Sequence, residues 1–366
     1  MPPAARQLSL FPDRVTRERV LPVLGEQGDI RYFAARARGV LNDPRTTGID
    51  GFWSVNPYVG CAFGCAYCYA RYAHRYALER ALAGDPAHEE LGRMARELPP
   101  WLAFERAIVV KRNAPEVLAR TLRDGPERFR ALTRGDQIVI GTATDPYQPA
   151  ERRFRITRGI LEALAQHLDL SVVIITKSPL VTRDVDVLAR LARHSRVQVH
   201  VSLITVDREL ARRLEPRAPT PEARLRAVRR LHEAGVRVRV NAMPVLPGIT
   251  DGAEQLDALV RSVAAAGADA IVAGSLALRS TARQRYLPFI AQEFPALAAR
   301  YRATYARAHT APERYRAGLK ARVRTLCEQY GLPYGSWDDD APREMSAQAR
   351  VTRPGYAPSR AARRSQ

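Results

Sequence analysis

The chain has 366 residues, 46% of them hydrophobic, and a formal net charge of +20. That length suits one large α/β domain or two smaller ones, and without an apolar run of about eighteen residues no membrane span is expected. Lys111, Lys177 and Lys320 are the only lysines, every other cation being arginine. So lopsided a ratio reflects coding bias as much as function, which weakens the basic charge as a sign of a nucleic-acid partner.

The stretch from Met1 to Gln7 lacks a basic segment followed by an apolar block, so no secretory signal is read and the cytoplasm is the expected compartment. Residues 1–50 read as a polar extension with one helix-like stretch near Ile30 to Leu41. From Gly51 onward, short runs rich in Val and Ile predict strands at 52–58, 137–144, 171–176, 197–204, 237–245 and 270–276, with a further short run at 107–111 ending on Lys111. Several lack a polar face, as strands buried on both sides do.

Between them lie helical patterns. Ile156, Ile160, Leu161, Leu164 and Leu168 recur at helical spacing, and the segment from Arg224 to Ala234 stops at Gly235. The alternation gives about six βα units and predicts an α/β fold with a parallel sheet, either a full or partial (β/α) barrel or an open doubly wound sheet. Residues 51–280 form the expected core, 281–340 a helical segment, and 341–366 a Pro-, Arg- and Ser-rich basic tail expected to be disordered.

Four cysteines are too few for a secreted disulfide scaffold of this length. Three of them, Cys61, Cys65 and Cys68, share one loop, spaced by three and then two residues, with Gly60 and Gly64 permitting tight turns. Three thiolates so spaced can wrap an iron–sulfur cubane, which normally takes four, leaving one iron open to another ligand. Structural zinc would need a fourth donor, either Cys327 or a distant histidine; an inert loop of three thiols is the plainest alternative. Cys327 falls on an apolar helical stripe with Leu319, Val323, Leu326 and Tyr330, so it reads as core.

The CxxxCxxC loop, with Tyr67 just before the last Cys, resembles the radical S-adenosylmethionine (SAM) superfamily. The runs Thr142 to Glu151, Ile175 to Ser178, Leu214 to Arg217 and Pro244 to Gly248, in that order, resemble its spore photoproduct lyase-like branch, often labelled DNA repair photolyase-like. The resemblance implies a full or partial (β/α) barrel and a [4Fe-4S] cluster held by Cys61, Cys65 and Cys68. It also implies reductive cleavage of SAM to methionine and a 5′-deoxyadenosyl radical, chemistry that belongs to the cofactor. Carried over residue by residue, it implies cofactor contacts from Tyr67, Thr144, Asp145, Lys177 and Ser202. It makes Tyr69, just after the last Cys, the residue that relays hydrogen atoms. An external reductant such as flavodoxin or ferredoxin is implied as well.

One position departs from the pattern. The lyases place a Cys directly before the Ser/Thr-Asp pair, where it returns a hydrogen atom to the product; here that residue is Ala143. Alanine has no comparably weak bond to hydrogen, so repair of spore photoproduct by that route is not expected. Nucleic acid is the substrate class the resemblance favours. A peptide, a tRNA or a small molecule is the second reading, and a non-enzymatic metal- or nucleic-acid-binding protein the third.

Overall fold

In a computed structural model, residues 23–44, 51–71, 93–94, 97–125, 132 and 135–335 are described. The basic tail at 341–366 lies outside them. Among the described residues are eleven strands: β1 (Val23–Gln27), β2 (Ile30–Ala35), β3 (Leu41–Asn42), β4 (Phe52–Val55), β5 (Tyr58–Val59), β6 (Ala107–Lys111), β7 (Gln137–Ile140), β8 (Ser171–Thr176), β9 (Arg196–Ser202), β10 (Arg237–Val245) and β11 (Ala270–Ser275). The described helices are α1 (Pro100–Arg106), α2 (Ala114–Asp124), α3 (Pro149–Phe154), α4 (Ile156–Leu164), α5 (Val185–Ala192), α6 (Arg208–Leu214), α7 (Pro221–Glu233), α8 (Ala253–Ala265), α9 (Ser280–Glu293), α10 (Pro295–Tyr305) and α11 (Glu313–Gln329).

The main sheet runs in the order β11-β10-β9-β8-β7-β4-β3. Its six strands from β4 to β11 pair parallel, and β3 adds an antiparallel edge. The two outer strands, β11 and β3, do not meet, so the fold is a partial (β/α) barrel. A second sheet, β1-β2-β6-β5, stands beside it. The short run at 107–111 is therefore a strand of this second sheet, parallel to β2.

Alternation along each strand divides the barrel chemically. Val197, Val199 and Val201 of β9 and Val238 and Val240 of β10 join the main core with Leu161, Leu188, Leu231 and Val260 from the outer helices. Each such side chain contributes roughly 1.5–3 kcal/mol on burial. The opposite face of the same strands is polar and also buried: Gln198, His200 and Ser202 on β9, Arg239 and Asn241 on β10. Cys327 sits on α11 in the main core beside Leu319 and Val323, as its apolar stripe predicts.

The stretch near Ile30 to Leu41 is a correction. It holds β2 and β3, not a helix. Tyr32 joins the main core and Phe33 a small separate cluster with Ala103, Ala107 and Val109. A strand buried on both faces carries adjacent apolar residues, and over six positions these look like one helical face. The expected strand at 52–58 also breaks in two. Its first part belongs to the barrel; after Asn56 and Pro57 the chain crosses to the second sheet as β5.

A candidate iron–sulfur and cofactor site

The Cys loop leaves β5 and is fastened from three sides. Gly60 and Gly64 have φ of +85° and +68°, where L side chains are strained. A Cβ on Gly60 would sit 2.8 Å from the Phe104 carbonyl oxygen, and one on Gly64 2.8 Å from both Arg217 Nη2 and Glu105 Oε2. Backbone bonds then fix the register: Cys61 N–H donates to Phe104 O (3.0 Å), Ala66 N–H to Leu214 O (2.9 Å) and Arg217 N–H to Phe63 O (3.2 Å). The loop packs with Leu210, Leu214, Tyr286, Phe289, Tyr301 and Tyr305 in a second apolar cluster, which brings α6, α9 and α10 against it.

Side chains complete the cradle. Gln148 Oε1 accepts from Ala62 N–H (2.9 Å), and Gln148 Nε2 donates to Gly60 O (3.0 Å) and to Thr144 Oγ1 (2.9 Å). Thr144 Oγ1 donates in turn to Gly60 O (2.6 Å). Arg217 Nε donates to Ala62 O (2.6 Å), and buried Arg71 Nη2 to Cys65 O (2.7 Å). Both guanidiniums pair with Glu105, at 2.7 Å for Arg71 and 2.8 Å for Arg217.

Cys61 and Cys65 are buried and Cys68 half-buried, and none is in a disulfide. Burial, with Asp145 and Cys68 nearby, pushes the Cys61 thiol up to about 12. Burial lifts Cys65 well above the usual thiol range, against the pull of Lys177. Cation binding at such thiols releases protons. Among the described residues no three His, Cys, Asp or Glu side chains surround one point as a single ion requires; a cubane takes its thiolates on separate irons.

The donor set and its charge fit such a cluster. Thiolates are soft ligands suited to iron–sulfur centres. Around the loop stand five cations, Arg71, Arg217, Arg285, Lys177 and Arg224, against three carboxylates, Glu105, Glu215 and Asp145. That surplus of positive charge suits an anionic, thiolate-bound centre.

The residues read from the sequence fall in two groups about the loop. On one side, buried Tyr67 donates its hydroxyl to Glu215, and Lys177 Nζ lies 3.9 Å from Glu215 Oε1 and 5.8 Å from the Tyr67 ring centre. Glu215 also accepts from Arg224, whose Nη1 donates to the Ser202 carbonyl (3.0 Å). Burial opposes ionisation of Glu215, but Arg224 and Lys177 beside it hold its carboxyl below the usual range. Burial likewise opposes the Lys177 charge, but Cys65 and Glu215 hold its amine above its ordinary value.

On the other side, Asp145 is half-buried and already engaged. Its Oδ1 accepts from Tyr147 N–H (2.9 Å) and Thr176 Oγ1 (2.7 Å), and its Oδ2 from Lys177 N–H (2.7 Å). A carboxylate has about four acceptor sites, so one stays available. Tyr69 has an exposed ring, and its hydroxyl donates to Thr142 O (2.6 Å), next to Ala143. Glu215 and Arg217 stood in the sequence only as part of a motif without a role. Gln148 likewise stood only inside the Thr142 to Glu151 run, Arg224 only as the start of a helical segment, and Arg71 and Glu105 carried no local signal.

A model of the Radical SAM superfamily matches residues 55–260. An uncharacterized protein of Mycobacterium tuberculosis is 36% identical over 304 residues, 83% of this chain and 82% of its own length. Among solved structures, a cysteine-to-serine mutant of spore photoproduct lyase gives a TM-score of 0.57 at 16% identity, covering 86% of this chain and 85% of that one. A second mutant, with bound AdoMet and dinucleoside spore photoproduct, gives 0.53 at 15% identity over 85% of each chain. At such identities the likeness to the lyases is one of fold.

Proposed function

This chain belongs to the radical SAM superfamily, and from that premise we propose that it is a radical SAM enzyme using a [4Fe-4S] cluster and SAM, with nucleic acid as its substrate class. The observation that carries the reading is the gathering of three thiols, Lys177 and Asp145 at one end of the barrel. When bound, the cluster supplies one electron to SAM, which yields methionine and a 5′-deoxyadenosyl radical.

The chain's own residues have separable tasks. Cys61, Cys65 and Cys68 hold the cluster. Lys177, kept charged by Glu215, attracts the carboxylate end of SAM, and the remaining acceptor site of Asp145 takes its ammonium end. Thr144 holds the Gly60 carbonyl and so the loop's entry. Tyr67, anchored on Glu215, sets the ring beneath the Lys177 ammonium. Ser202 ends β9 at the same rim and supplies a further polar contact. Apolar cover from α9 and α10 excludes water from the buried side of the loop.

Tyr69 relays hydrogen atoms beside position 143, where the resembling lyases carry a cysteine and this chain carries Ala143. A product that needs a thiol hydrogen is therefore not expected, and the substrate differs from spore photoproduct. Flavodoxin or ferredoxin is the class of reductant such a site requires. No described helix is long and apolar enough to cross a membrane.

Anaerobic reconstitution with iron and sulfide, then dithionite and SAM, tests the reading. It expects about four irons per chain and formation of 5′-deoxyadenosine. Cys61→Ala should lose both. A variant that still produced 5′-deoxyadenosine would remove Cys61 from the ligand set, and a wild-type protein without iron would remove the enzyme.

A further inference from the structure

Lys111 ends β6 in the second sheet, yet its amine reaches the barrel. Lys111 Nζ donates to the carbonyl of Asn56, the residue that follows β4, at 2.8 Å. Asn56 in turn holds the 142–143 turn: its Oδ1 accepts from Ala143 N–H (2.9 Å) and its Nδ2 donates to Thr142 Oγ1 (3.1 Å). Tyr69 binds the other end of the same peptide, through Thr142 O. One residue, Asn56, thus joins the Lys111 amine to the turn that carries position 143.

That amine is under-used. An ammonium group has three donors, and among the described residues one of them has a partner. No carboxylate among the described residues pairs with it, and burial alone lowers its pKa to about 8. A charge held in a half-buried place without a counter-ion costs stability. If Lys111 only strapped the two sheets together, an amide side chain would serve without that cost.

The surroundings carry the same sign. Arg112 is exposed, and so are Arg36 and Arg38 on the loop after β2. That loop is fastened beside Lys111: Ala37 N–H donates to Asn113 Oδ1 (2.7 Å), Asn113 Nδ2 to Ala37 O (3.0 Å) and Arg112 N–H to Ala35 O (3.0 Å).

We propose that Lys111 anchors an anion-binding site at the barrel rim beside Ala143, with the exposed Arg36, Arg38 and Arg112 on the adjoining chain segments, and that it takes a backbone phosphate of a nucleic-acid substrate. The inference deepens the substrate class proposed above. It places one phosphate next to Tyr69, which would set the base or sugar of the adjoining nucleotide at the reacting end of the site. Phosphate contacts of this kind fix register, and each makes binding salt-dependent.

The test uses the full chain, reconstituted anaerobically, and a fluorescein-labelled ten-nucleotide single-stranded DNA followed by anisotropy across a salt series. Lys111→Gln keeps a donor for Asn56 O but removes the charge. It is expected to weaken binding about tenfold and to flatten the salt slope by about 0.7, while Lys111→Arg stays within roughly threefold of wild type. Wild-type affinity in Lys111→Gln would reduce the lysine to a strap and overturn the site. Displacement of the DNA by a ten-residue polyglutamate, with the same dependence on Lys111, would also overturn the nucleic-acid assignment. Should Lys111→Gln fail to fold, the surface variant Arg36→Ala/Arg112→Ala decides: a flatter salt slope supports the site, and an unchanged one overturns it. Production of 5′-deoxyadenosine by the wild type is scored separately. Cleavage of SAM without DNA binding sinks this inference and the nucleic-acid substrate class but leaves the radical SAM enzyme standing, and Lys111-dependent DNA binding without cleavage sinks the enzyme alone.

Discussion

Lys177 works through a chain of contacts rather than alone. Glu215 joins it to Tyr67 and to Arg224, and the Glu215 and Arg224 side chains are each 1% exposed. Lys177→Ala removes the outermost member and leaves Glu215 paired. It should therefore spare the Cys loop and raise the SAM dissociation constant about 10- to 100-fold, the worth of one charged hydrogen bond. Iron analysis and a SAM titration on the same sample separate the two effects; iron loss would show that Lys177 supports the loop instead. The sequence displayed Lys177 and the three cysteines because their signals are local. Glu215 showed only as part of a motif, its task hidden because the Tyr67 hydroxyl it accepts from lies 148 residues away in the chain. The task of Arg217, which holds the Ala62 carbonyl from 155 residues away, was hidden for the same reason.

The Cys loop keeps its shape because helix α1 and strand β6 press against its entry. Gly60→Ala would place a methyl 2.8 Å from the Phe104 carbonyl and 3.0 Å from that of Ala107, both backbone atoms with little room to move. Added to the positive φ, this should cost about 1–3 kcal/mol and lower both the melting temperature and the iron content. Gly318→Ala on α11 meets nothing within 4 Å and, in a helix interior, should be neutral or stabilising by about 0.5–1 kcal/mol. Equal melting temperatures for the two variants would refute the steric account of Gly60. At this scale the barrel strands were legible from their Val and Ile content, and 171–176 and 237–245 match β8 and β10 end to end. The second sheet was not. Its strand β2 is apolar on both faces, and its pairing with β6 joins residues that no short window contains.

The partial barrel buries a polar inner face, and that face should make the whole molecule sensitive to acid. His200 is 1% exposed, with Gln198 3.3 Å away on one side of the strand and Arg239 opposite it in register. Burial, reinforced by the Arg239 charge, lowers its pKa from 6.5 to about 3. In the unfolded chain the imidazole takes up a proton as pH falls through about 6.5, whereas the folded chain holds it neutral down to about 3. Between those values the unfolded state binds the extra proton, so stability rises with pH across that window by about 1.4 kcal/mol per unit. Going from pH 7 to pH 5 should then cost roughly 2 kcal/mol. Glu215, whose carboxyl is held below the usual range, contributes in the same direction only at lower pH. Urea unfolding of His200→Gln at pH 7, 6 and 5, compared with wild type, isolates the histidine from any general loss of stability, because the readout is the slope against pH. The variant should show most of that slope removed; parallel slopes would mean that His200 is charged in the folded barrel and that its polar inner face is wetter than its burial implies.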